Sequence, residues 1–372
     1  KEILFIKNDL KKLDGQKQDY TTLKNYLKWG IERYPAKNMG VVFWNHGGGT
    51  IGGVCCDEKY DFDSLSLSEI ELAIECTSKK MTDKFEVIGF DACLMSSIEV
   101  ANALAPYSNY MVASEQLEPS NGWEYKSFIN ALVNNVSIKG DELGKIIVDS
   151  YIEDMLTNEY TEDEYSTLSV TDLSKIDDIL VAFNNVAKDI DNKCVSTEIL
   201  QKLNEVAIES LEIGTGDADY GMIDLYDYMD KIADFIDGTE EVKTSIENAV
   251  IYEKHGDASP NAHGLTFYYP TVETGFNYLN QMRNMVISPY YMNFIDKREA
   301  YISNIKANNV VMENGEVLFQ LGYDFWSDDT FKLGENNYNL ENYKDNNWEC
   351  SKYYYEKTFE YVEYEFTTLE QY

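Results

Sequence analysis

A histidine and a cysteine stand just after two apolar runs of the sequence, and together they could carry out nucleophilic chemistry. His46 is followed by three glycines, and Cys93 lies in the sequence Asp-Ala-Cys. A thiolate is a strong nucleophile, and a positioned imidazole can activate it or protonate a leaving amine. The backbone amides of Gly47 and of Cys93, the latter at the expected start of a helix, could stabilise an oxyanion. Each residue alone is more often structural, but the combination predicts a site for acyl transfer.

Strands and helices alternate in the first part of the chain and would bring these residues together. Three short runs are apolar on both faces, which is typical of buried parallel strands: 39–44, 85–90 and 110–113. Apolar residues at helical spacing lie between and around them, over 21–34, 66–79 and 94–104, with Ser68 as the expected N-cap of the second helix. The alternation predicts a doubly wound α/β sheet, whose ligands bind at the carboxyl ends of the strands.

The rest of the chain divides into a helical and a β-rich part. Residues 124–253 are predicted to be largely helical, and 264–270 to form another buried strand. Alternating or clustered β patterns and Asn-rich turns predict further strands at 310–312, 316–321 and 359–366. His263 precedes a strand rather than following one, so we expect it to be structural and to face the opposite end of the sheet.

These sequence patterns predict two domains. The first covers residues 1–305 and contains a helical insertion around 140–253. The second is a small β-rich unit over residues 306–372, whose last part is crowded with tyrosine and phenylalanine.

Composition excludes several classes of protein. The chain has 372 residues, 44% of them hydrophobic, which supports a sizeable core and excludes a mainly disordered chain. Its net charge of −35 repels phosphates, so nucleic acid is not an expected partner. No apolar run is long enough to span a membrane, and the apolar run 3–6 is too short for a signal peptide. The six cysteines show no spacing typical of a disulfide framework or a metal site.

Three motifs in order resemble the clostripain family of cysteine peptidases, relatives of the caspase, legumain and gingipain folds. They are Trp-Asn-His-Gly-Gly-Gly at 44–49, Gly-Phe-Asp-Ala-Cys-Leu-Met at 89–95, and the stretch from Ala-Ser-Glu to Gly-Trp-Glu-Tyr at 113–125. The resemblance implies a caspase-like three-layer α/β sandwich with a mainly parallel sheet. It also implies an endopeptidase in which Cys93 is the nucleophile and His46 the general acid/base, with cleavage after Arg or Lys through a thioester acyl-enzyme.

The resemblance also implies a pocket for the basic side chain at the P1 position of the substrate, the S1 pocket. Asp91 lies on the same side of its strand as Cys93, where its carboxylate could pair with a guanidinium in a bidentate fork. Glu115, Asn121 and Trp123 are expected to complete the pocket. Relatives often have an acid at the position of Asn121, and this neutral amide leaves the preference between Arg and Lys open. The alternative for Asp91 is a helix N-cap.

A loop between the histidine and the cysteine is commonly cut when members of this family are activated. Here the corresponding stretch is 55–63, in which Lys59 is the only basic residue. We therefore predict self-cleavage at the bond between Lys59 and Tyr60, with an ordinary exposed lysine as the alternative. Until it is cut, a substrate-like lysine close to its own active site would act as an inhibitor.

Cofactors, partners and location follow from the same resemblance. No metal ligand is assigned, although Asp217, Asp219 and Asp224 leave calcium open as an alternative, because some relatives need calcium. The expected partners are protein or peptide substrates with basic residues, and we expect a monomer. The resemblance implies a bacterial protein that is secreted or at the cell surface, with a signal peptide not present in this chain. A rival hypothesis is an inactive peptidase fold that binds a glycan or protein through the Tyr-rich unit, and another is a hydrolase of non-peptide amides.

Overall fold

The computed structural model describes most of the chain up to residue 298 and short strands beyond it. The described residues are 20–57, 59–60, 62–158, 163–194, 197–210, 221–270, 287–288, 290–291, 293–295 and 298, with the backbone of 311–313, 316–318, 330–333 and 336–339. The chain divides into two compact units. The first comprises Lys1–Ile176, Glu212–Asp227 and Ile246–Tyr268, and the second Asp177–Leu211, Tyr228–Ser245 and Tyr269–Tyr372.

Helices and strands alternate through the described residues. The helices are α1 (Tyr20–Arg33), α2 (Gly49–Gly52), α3 (Leu67–Ser78), α4 (Ile98–Leu104), α5 (Tyr125–Asn134), α6 (Gly140–Asn158), α7 (Ile176–Lys193), α8 (Thr197–Glu209), α9 (Leu225–Ile232) and α10 (Thr239–Ala249). The strands are β1 (Gly40–Trp44), β2 (Val54–Asp57), β3 (Asp63–Leu65), β4 (Phe85–Asp91), β5 (Ser108–Ala113), β6 (Thr167–Asp172), β7 (Met222–Asp224), β8 (Val250–His255), β9 (Thr266–Tyr268), β10 (Val311–Glu313), β11 (Glu316–Leu318), β12 (Thr330–Leu333) and β13 (Asn336–Asn339). None of the described helices is both long and apolar enough to cross a membrane.

A five-stranded sheet in the order β1-β4-β5-β6-β8 forms the centre of the first unit. Strands β1, β4 and β5 are parallel, β6 is antiparallel to β5, and β8 is antiparallel to β6. One face of the sheet packs Val112 and Val170 against α5 and α6, whose Tyr151 is fully buried. Phe43 and Phe90 stack with their ring centroids 5.1 Å apart. The predicted strands that end before His46, Cys93 and Ser114 are confirmed, and their parallel register brings their carboxyl ends to one edge.

The prediction of a largely helical stretch over 124–253 is wrong in three places, because β6 and β8 of the central sheet and the short strand β7 lie within it. The sequence of β6 is rich in small hydroxyl residues, and the hydroxyl group of Ser169 donates to the carbonyl oxygen of Gly264 at 2.8 Å, which allows burial. The sequence of β8 continues the apolar spacing of α10 without a break. The strand predicted at 264–270 is shorter, and as β9 it pairs with β7 rather than with the central sheet.

Two helix starts differ from the predictions. Helix α3 is capped by Ser66 rather than Ser68, because Ser66 and Glu69 form a reciprocal capping box. Helix α4 begins at Ile98 rather than Leu94, with Ser97 as its N-cap. Leu94 adopts a left-handed backbone conformation with φ of 64°, which is incompatible with a helix at that point.

The described part of the C-terminal region consists of two antiparallel strand pairs. Strands β10 and β11 match the predictions for 310–312 and 316–321, and β12 pairs with β13 in a hairpin that was not predicted. The strand predicted at 359–366 lies outside the described residues. The division into domains at residue 305 stays a prediction.

Candidate active site

The loop that carries Cys93, residues 92–97, follows β4 and is fixed by the chain that follows β5. The backbone amide of Leu94 donates to the carbonyl oxygen of Gln116 at 3.1 Å, and that of Ser96 to the carbonyl oxygen of Ser114 at 2.8 Å. The hydroxyl group of Ser96 donates to the carbonyl oxygen of Gly264 at 2.7 Å. The loop is therefore positioned by backbone contacts rather than by a helix start.

The loop that carries His46 lies directly against the Cys93 loop. Trp44 is paired with Asp91 at the ends of β1 and β4, and the amide of Asn45 lies 3.4 Å from the carbonyl oxygen of Asp91. Two residues further on, a Cβ atom on Gly47 would lie 2.0 Å from the carbonyl oxygen of Cys93. No other residue type fits at that distance without moving the backbone, so the Gly that follows His46 permits the close approach.

The expected oxyanion site needs one correction. The amide of Cys93 does not stand at the start of a helix, since α4 begins at Ile98. No helix dipole therefore acts at that amide, and any stabilisation of an oxyanion by Gly47 and Cys93 would come from the two backbone N–H groups themselves. Their role stays a prediction.

The thiol of Cys93 lies against the backbone of Glu118. The amide of Glu118 donates to Cys93 Sγ at 3.2 Å, and Sγ lies 3.7 Å from the carbonyl oxygen of the same residue. Cys93 is half-buried, and it is a free cysteine. The segment after β5 therefore lines one side of the thiol.

Asp91 is buried and accepts hydrogen bonds from the segment that follows. The backbone amide of Trp123 donates to Oδ1 at 3.1 Å, and the hydroxyl group of Tyr125 donates to Oδ2 at 2.7 Å. Gly122, with φ of 66°, passes so close that a Cβ atom there would lie 2.7 Å from Oδ1. Burial raises the pKa of Asp91, while the hydrogen bonds from Tyr125 and Trp123 and the one shared with Glu118 act to lower it. These contacts do not include a helix N-terminus, so the N-cap alternative for Asp91 is wrong.

Glu118 is a further carboxyl group at this place, and sequence reasoning did not assign it a role. The indole nitrogen of Trp123 donates to Glu118 Oε1 at 3.3 Å. Oε2 is excluded from solvent and accepts from no donor among the described residues, and the Glu118 carboxyl group shares a hydrogen bond with that of Asp91. Burial raises the pKa of Glu118 well above its usual range, and the charges of Asp91 and Cys93 raise it further. The sequence signal that could have identified Glu118 is its position between Glu115 and Asn121 in the third motif.

The other three residues predicted for the S1 pocket are not all in one place. Trp123 packs over Gly89 and contacts both Asp91 and Glu118. The amide of Asn121 lies 3.3 Å from Asp154 Oδ2. Glu115 is buried in a separate cluster with Asp224. Its place in the S1 pocket stays a prediction.

A second cluster of carboxyl groups joins β5 to the segment before β9. Glu115 Oε2 accepts from the amide of Gly264 at 2.9 Å, and burial followed by the charge of Asp224 raises the pKa of Glu115 well above its usual range. His263 Nδ1 lies 3.1 Å from Asp224 Oδ1, and the His263 ring stacks on Tyr226. The prediction that His263 faces the opposite end of the sheet is wrong, because the following glycine contacts residues beyond the carboxyl ends of β4 and β5.

Metal ligands do not cluster in the part of the chain that the structure describes, where no group of three or more His, Cys, Asp or Glu could hold an ion. Asp224, one of the three calcium candidates, accepts hydrogen bonds from the backbone amides of Asp227 and His263. Asp217 and Asp219 lie outside the described residues.

Lys59 lies in the turn of the hairpin formed by β2 and β3. Its side chain is exposed, and its amide donates to Asp57 Oδ1 at 3.0 Å. The first strand of this hairpin starts from the His46 loop, because the amide of Cys55 donates to the carbonyl oxygen of His46 at 2.9 Å.

Comparison with known proteins decides the family. The model of the clostripain family matches residues 10–364. The chain belongs to the clostripain family. Clostripain from Hathewaya histolytica is 24% identical over 315 residues, which cover 70% of this chain and 58% of that protein. The chain therefore spans less than two thirds of the length of this relative.

Two solved structures share the fold. An inactive zymogen C11 protease from Parabacteroides distasonis is 23% identical, with 68% of this chain and 70% of that chain covered and a TM-score of 0.51. A secreted C11 cysteine protease from Bacteroides thetaiotaomicron, in complex with an irreversible peptide inhibitor, is 20% identical, with 76% and 79% covered and a TM-score of 0.55. The predicted family and the predicted caspase-like α/β fold are confirmed.

Proposed function

We propose that this chain is a cysteine endopeptidase that cleaves after Arg or Lys, with Cys93 as nucleophile and His46 as general acid/base. The observation that carries the proposal is the contact between the Gly47 and Cys93 backbones, which brings the two loops together at the carboxyl edge of the sheet. Membership of the clostripain family supports the reaction class. Asp91 would bind the P1 cation, beside Trp123.

The reaction proceeds in two acyl transfers. The Cys93 thiolate attacks the carbonyl carbon of the scissile bond, and the amides of Gly47 and Cys93 stabilise the oxyanion. Protonated His46 gives its proton to the leaving amine as the C–N bond breaks, which leaves a thioester. His46 then removes a proton from water, whose hydroxide attacks the thioester. The carboxylic acid product leaves, and the thiolate is regenerated.

Self-cleavage at the bond between Lys59 and Tyr60 would activate the enzyme. The exposed side chain of Lys59 and its position in a hairpin turn support access by a protease. The expected result is two fragments of active protein by intact mass. Lys59→Ala should remain a single chain, whereas one unbroken chain of fully active parent protein would contradict self-cleavage.

Substrates would be proteins or peptides with basic residues outside the cell, and the net charge of −35 would attract them. A secreted relative supports extracellular action. The chain would act as a monomer.

Hydrolysis of fluorogenic peptides tests the proposal. Peptides with Arg, Lys, Asp or Asn at P1 are compared for the parent protein and for Cys93→Ala. We expect cleavage of the Arg and Lys peptides that is abolished in the variant. Cleavage only of the Asp or Asn peptides would overturn the assignment of Asp91 to the P1 cation. No cleavage by a processed chain whose Cys93 is readily alkylated by iodoacetamide would favour a non-catalytic binding protein.

A further inference from the structure

We propose that Glu118 is a specificity-determining residue: with Asp91 it forms a two-carboxyl site for the P1 cation. In the free protein the pair carries one proton, and this proton leaves for solvent when the substrate's guanidinium or ammonium group binds. The inference rests on the proposed function, which assigns Asp91 to the P1 side chain. It adds a second carboxyl group and a coupling between substrate binding and pH.

The pair has no cation of its own. Among the described residues, no Lys, Arg or His forms an ion pair with Asp91 or Glu118. Their donors are neutral: the indole and backbone N–H groups of Trp123 and the hydroxyl group of Tyr125. Two buried carboxylates without a cation cannot both be ionised at low cost, so one proton stays with the pair.

The two carboxyl groups lie against each other, and a bound cation would satisfy an oxygen that the folded protein leaves without a donor. Glu118 Oε2 is buried and accepts from no donor among the described residues, while the Glu118 carboxyl group shares a hydrogen bond with that of Asp91. The hydroxyl group of Tyr151, whose side chain is 0% exposed, has Ser166 as its hydrogen-bonding neighbour. Tyr151 faces the pair, because the charges of Glu118, Asp91 and Cys93 contribute to raising its pKa well above the usual range, after burial as the main cause. A carboxylate oxygen without a donor is costly to bury, and a cation bound beside it would remove that cost.

Asn121 does not provide the second acid. Its side-chain amide lies near Asp154 Oδ2 and the sulfur of Met155, at 3.3 and 3.9 Å. Glu118, by contrast, holds the Cys93 thiol with its backbone and contacts Trp123 with its side chain. One residue therefore links the nucleophile to the cation site.

The titratable groups that face the pair are Cys93, Tyr125 and Tyr151. Burial raises the pKa of both tyrosines well above the usual range, and the Asp91 charge raises it further, so both phenols stay neutral at working pH. The proton shared by the carboxyl pair is thus the one that competes with a bound cation.

Competitive inhibition by benzamidine tests the inference, because benzamidine mimics the arginine side chain and remains a cation from pH 6 to 9. Its inhibition constant is measured against a P1-Arg peptide for the parent, Glu118→Gln and Glu118→Asp, with Glu99→Gln as control. Glu99 is a fully buried carboxyl group bonded to the amide of Tyr268 and the hydroxyl group of Thr50, and none of its hydrogen bonds reaches Asp91, Glu118 or Cys93. Alkylation of Cys93 by iodoacetamide, which needs no P1 cation, reports whether each variant is folded at the site.

We expect benzamidine to bind the parent and Glu99→Gln about five- to tenfold more tightly at pH 9 than at pH 6, since binding releases a proton. Glu118→Gln should bind it about 10- to 100-fold more weakly at pH 8 and without this pH dependence. Glu118→Asp should retain the pH dependence, which a purely structural role would not explain. Alkylation rates should stay within about threefold.

Two results would overturn the inference, and they differ in what else they imply. If Glu118→Gln binds benzamidine as the parent does, with the same pH dependence, the role of Glu118 is refuted and the P1-basic specificity stands. If benzamidine does not inhibit the parent and only Asp or Asn peptides are cleaved, the proposed specificity fails together with this inference.

Discussion

Two pairs of buried carboxyl groups lie beyond the carboxyl ends of neighbouring strands, and they differ in how their charge is neutralised. Glu115 and Asp224 have a histidine within the cluster, with His263 Nδ1 at 3.1 Å from Asp224 Oδ1. They also accept from three backbone amides, those of Gly264, His263 and Asp227. Asp91 and Glu118 have only neutral donors. In each pair one glutamate oxygen, Glu115 Oε1 or Glu118 Oε2, is buried without a donor among the described residues.

On the proposed assignment of Asp91 to the P1 cation, the difference would separate a structural cluster from a binding site. The Glu115–Asp224 pair has its own cation and accepts from backbone amides, so it ties β5 to the segment before β9. A pair without a cation costs free energy in the folded state, and a bound cation removes that cost. Since the second kind of pair lies beside the Cys93 thiol, the missing cation is best supplied by a substrate.

Replacing the aspartate of each pair by asparagine should give the largest difference in activity between the two pairs. Asp91→Asn removes the charge but keeps an acceptor for the Trp123 amide, so the fold should survive. We expect kcat/KM on P1-Arg and P1-Lys peptides to fall about 10²- to 10³-fold, because a buried charge-assisted pair with the substrate is lost. Peptide hydrolysis and iodoacetamide alkylation of Cys93 are measured in parallel, and the alkylation rate should change less than about threefold.

Asp224→Asn is the matched control for that prediction. It removes the same charge from the pair that has its own histidine, and it should leave kcat/KM within about threefold of the parent while lowering the midpoint of urea unfolding. Equal losses of activity in the two variants would show that the two pairs do not differ in function.

The Gly47→Ala substitution tests the position of the thiol rather than the charge of a carboxyl pair. It should move the thiol relative to Asp91 and Glu118 without changing a charge. The added Cβ atom would lie 2.0 Å from the carbonyl oxygen of Cys93, so one of the two loops must shift. We expect Gly47→Ala to reduce kcat/KM about 100-fold, because a misplacement of about 1 Å can cost that much. Gly52→Ala is the control, since a Cβ atom there meets nothing within 4 Å, and its activity should stay within about twofold. Similar activity in both variants would mean that the close approach is not needed for catalysis.

Sequence patterns predict the part of the fold where apolar runs end in polar residues. Strands β1, β4 and β5 and the placement of His46 and Cys93 at one edge follow from such runs. Strand β6 is not predicted from such runs because it contains polar residues. The Ser169 hydroxyl group is buried through a hydrogen bond to the carbonyl oxygen of Gly264, which lies 95 residues away in the sequence. Long-range hydrogen bonds of this kind leave no trace in local hydropathy.

The residues of the candidate site could likewise be predicted only in part from the sequence. The resemblance to a family points to His46, Cys93 and Asp91, because they stand in short motifs. Glu118 lies in a quoted motif as well, but its importance depends on its contacts with Trp123 and the Cys93 thiol, which only three-dimensional packing reveals. Glu115, three residues before it, has the same side chain and different surroundings, so residue type alone could not separate the two.

The smallest expected effect concerns the internal cation of the Glu115–Asp224 pair. Burial acts to lower the pKa of His263, but the hydrogen bond to Asp224 and its charge outweigh this and raise the pKa above its ordinary value of about 6.5. The charged histidine therefore stabilises the fold fully below about pH 6.5, and this contribution is lost as the pH rises through the raised pKa.

His263→Gln should accordingly be less stable than the parent by about 1 kcal/mol at pH 5.5 and by less at pH 8.5. The side chain of His263 is 35% exposed, so solvent screens the pair and keeps the effect small. Urea unfolding of His263→Gln, Asp224→Asn and the double variant gives the coupling energy between the two residues at each pH. A coupling that is the same at pH 5.5 and 8.5 would mean that His263 is not the cation of its cluster. The two carboxyl pairs would then not differ in the way that assigns the uncompensated one to a substrate.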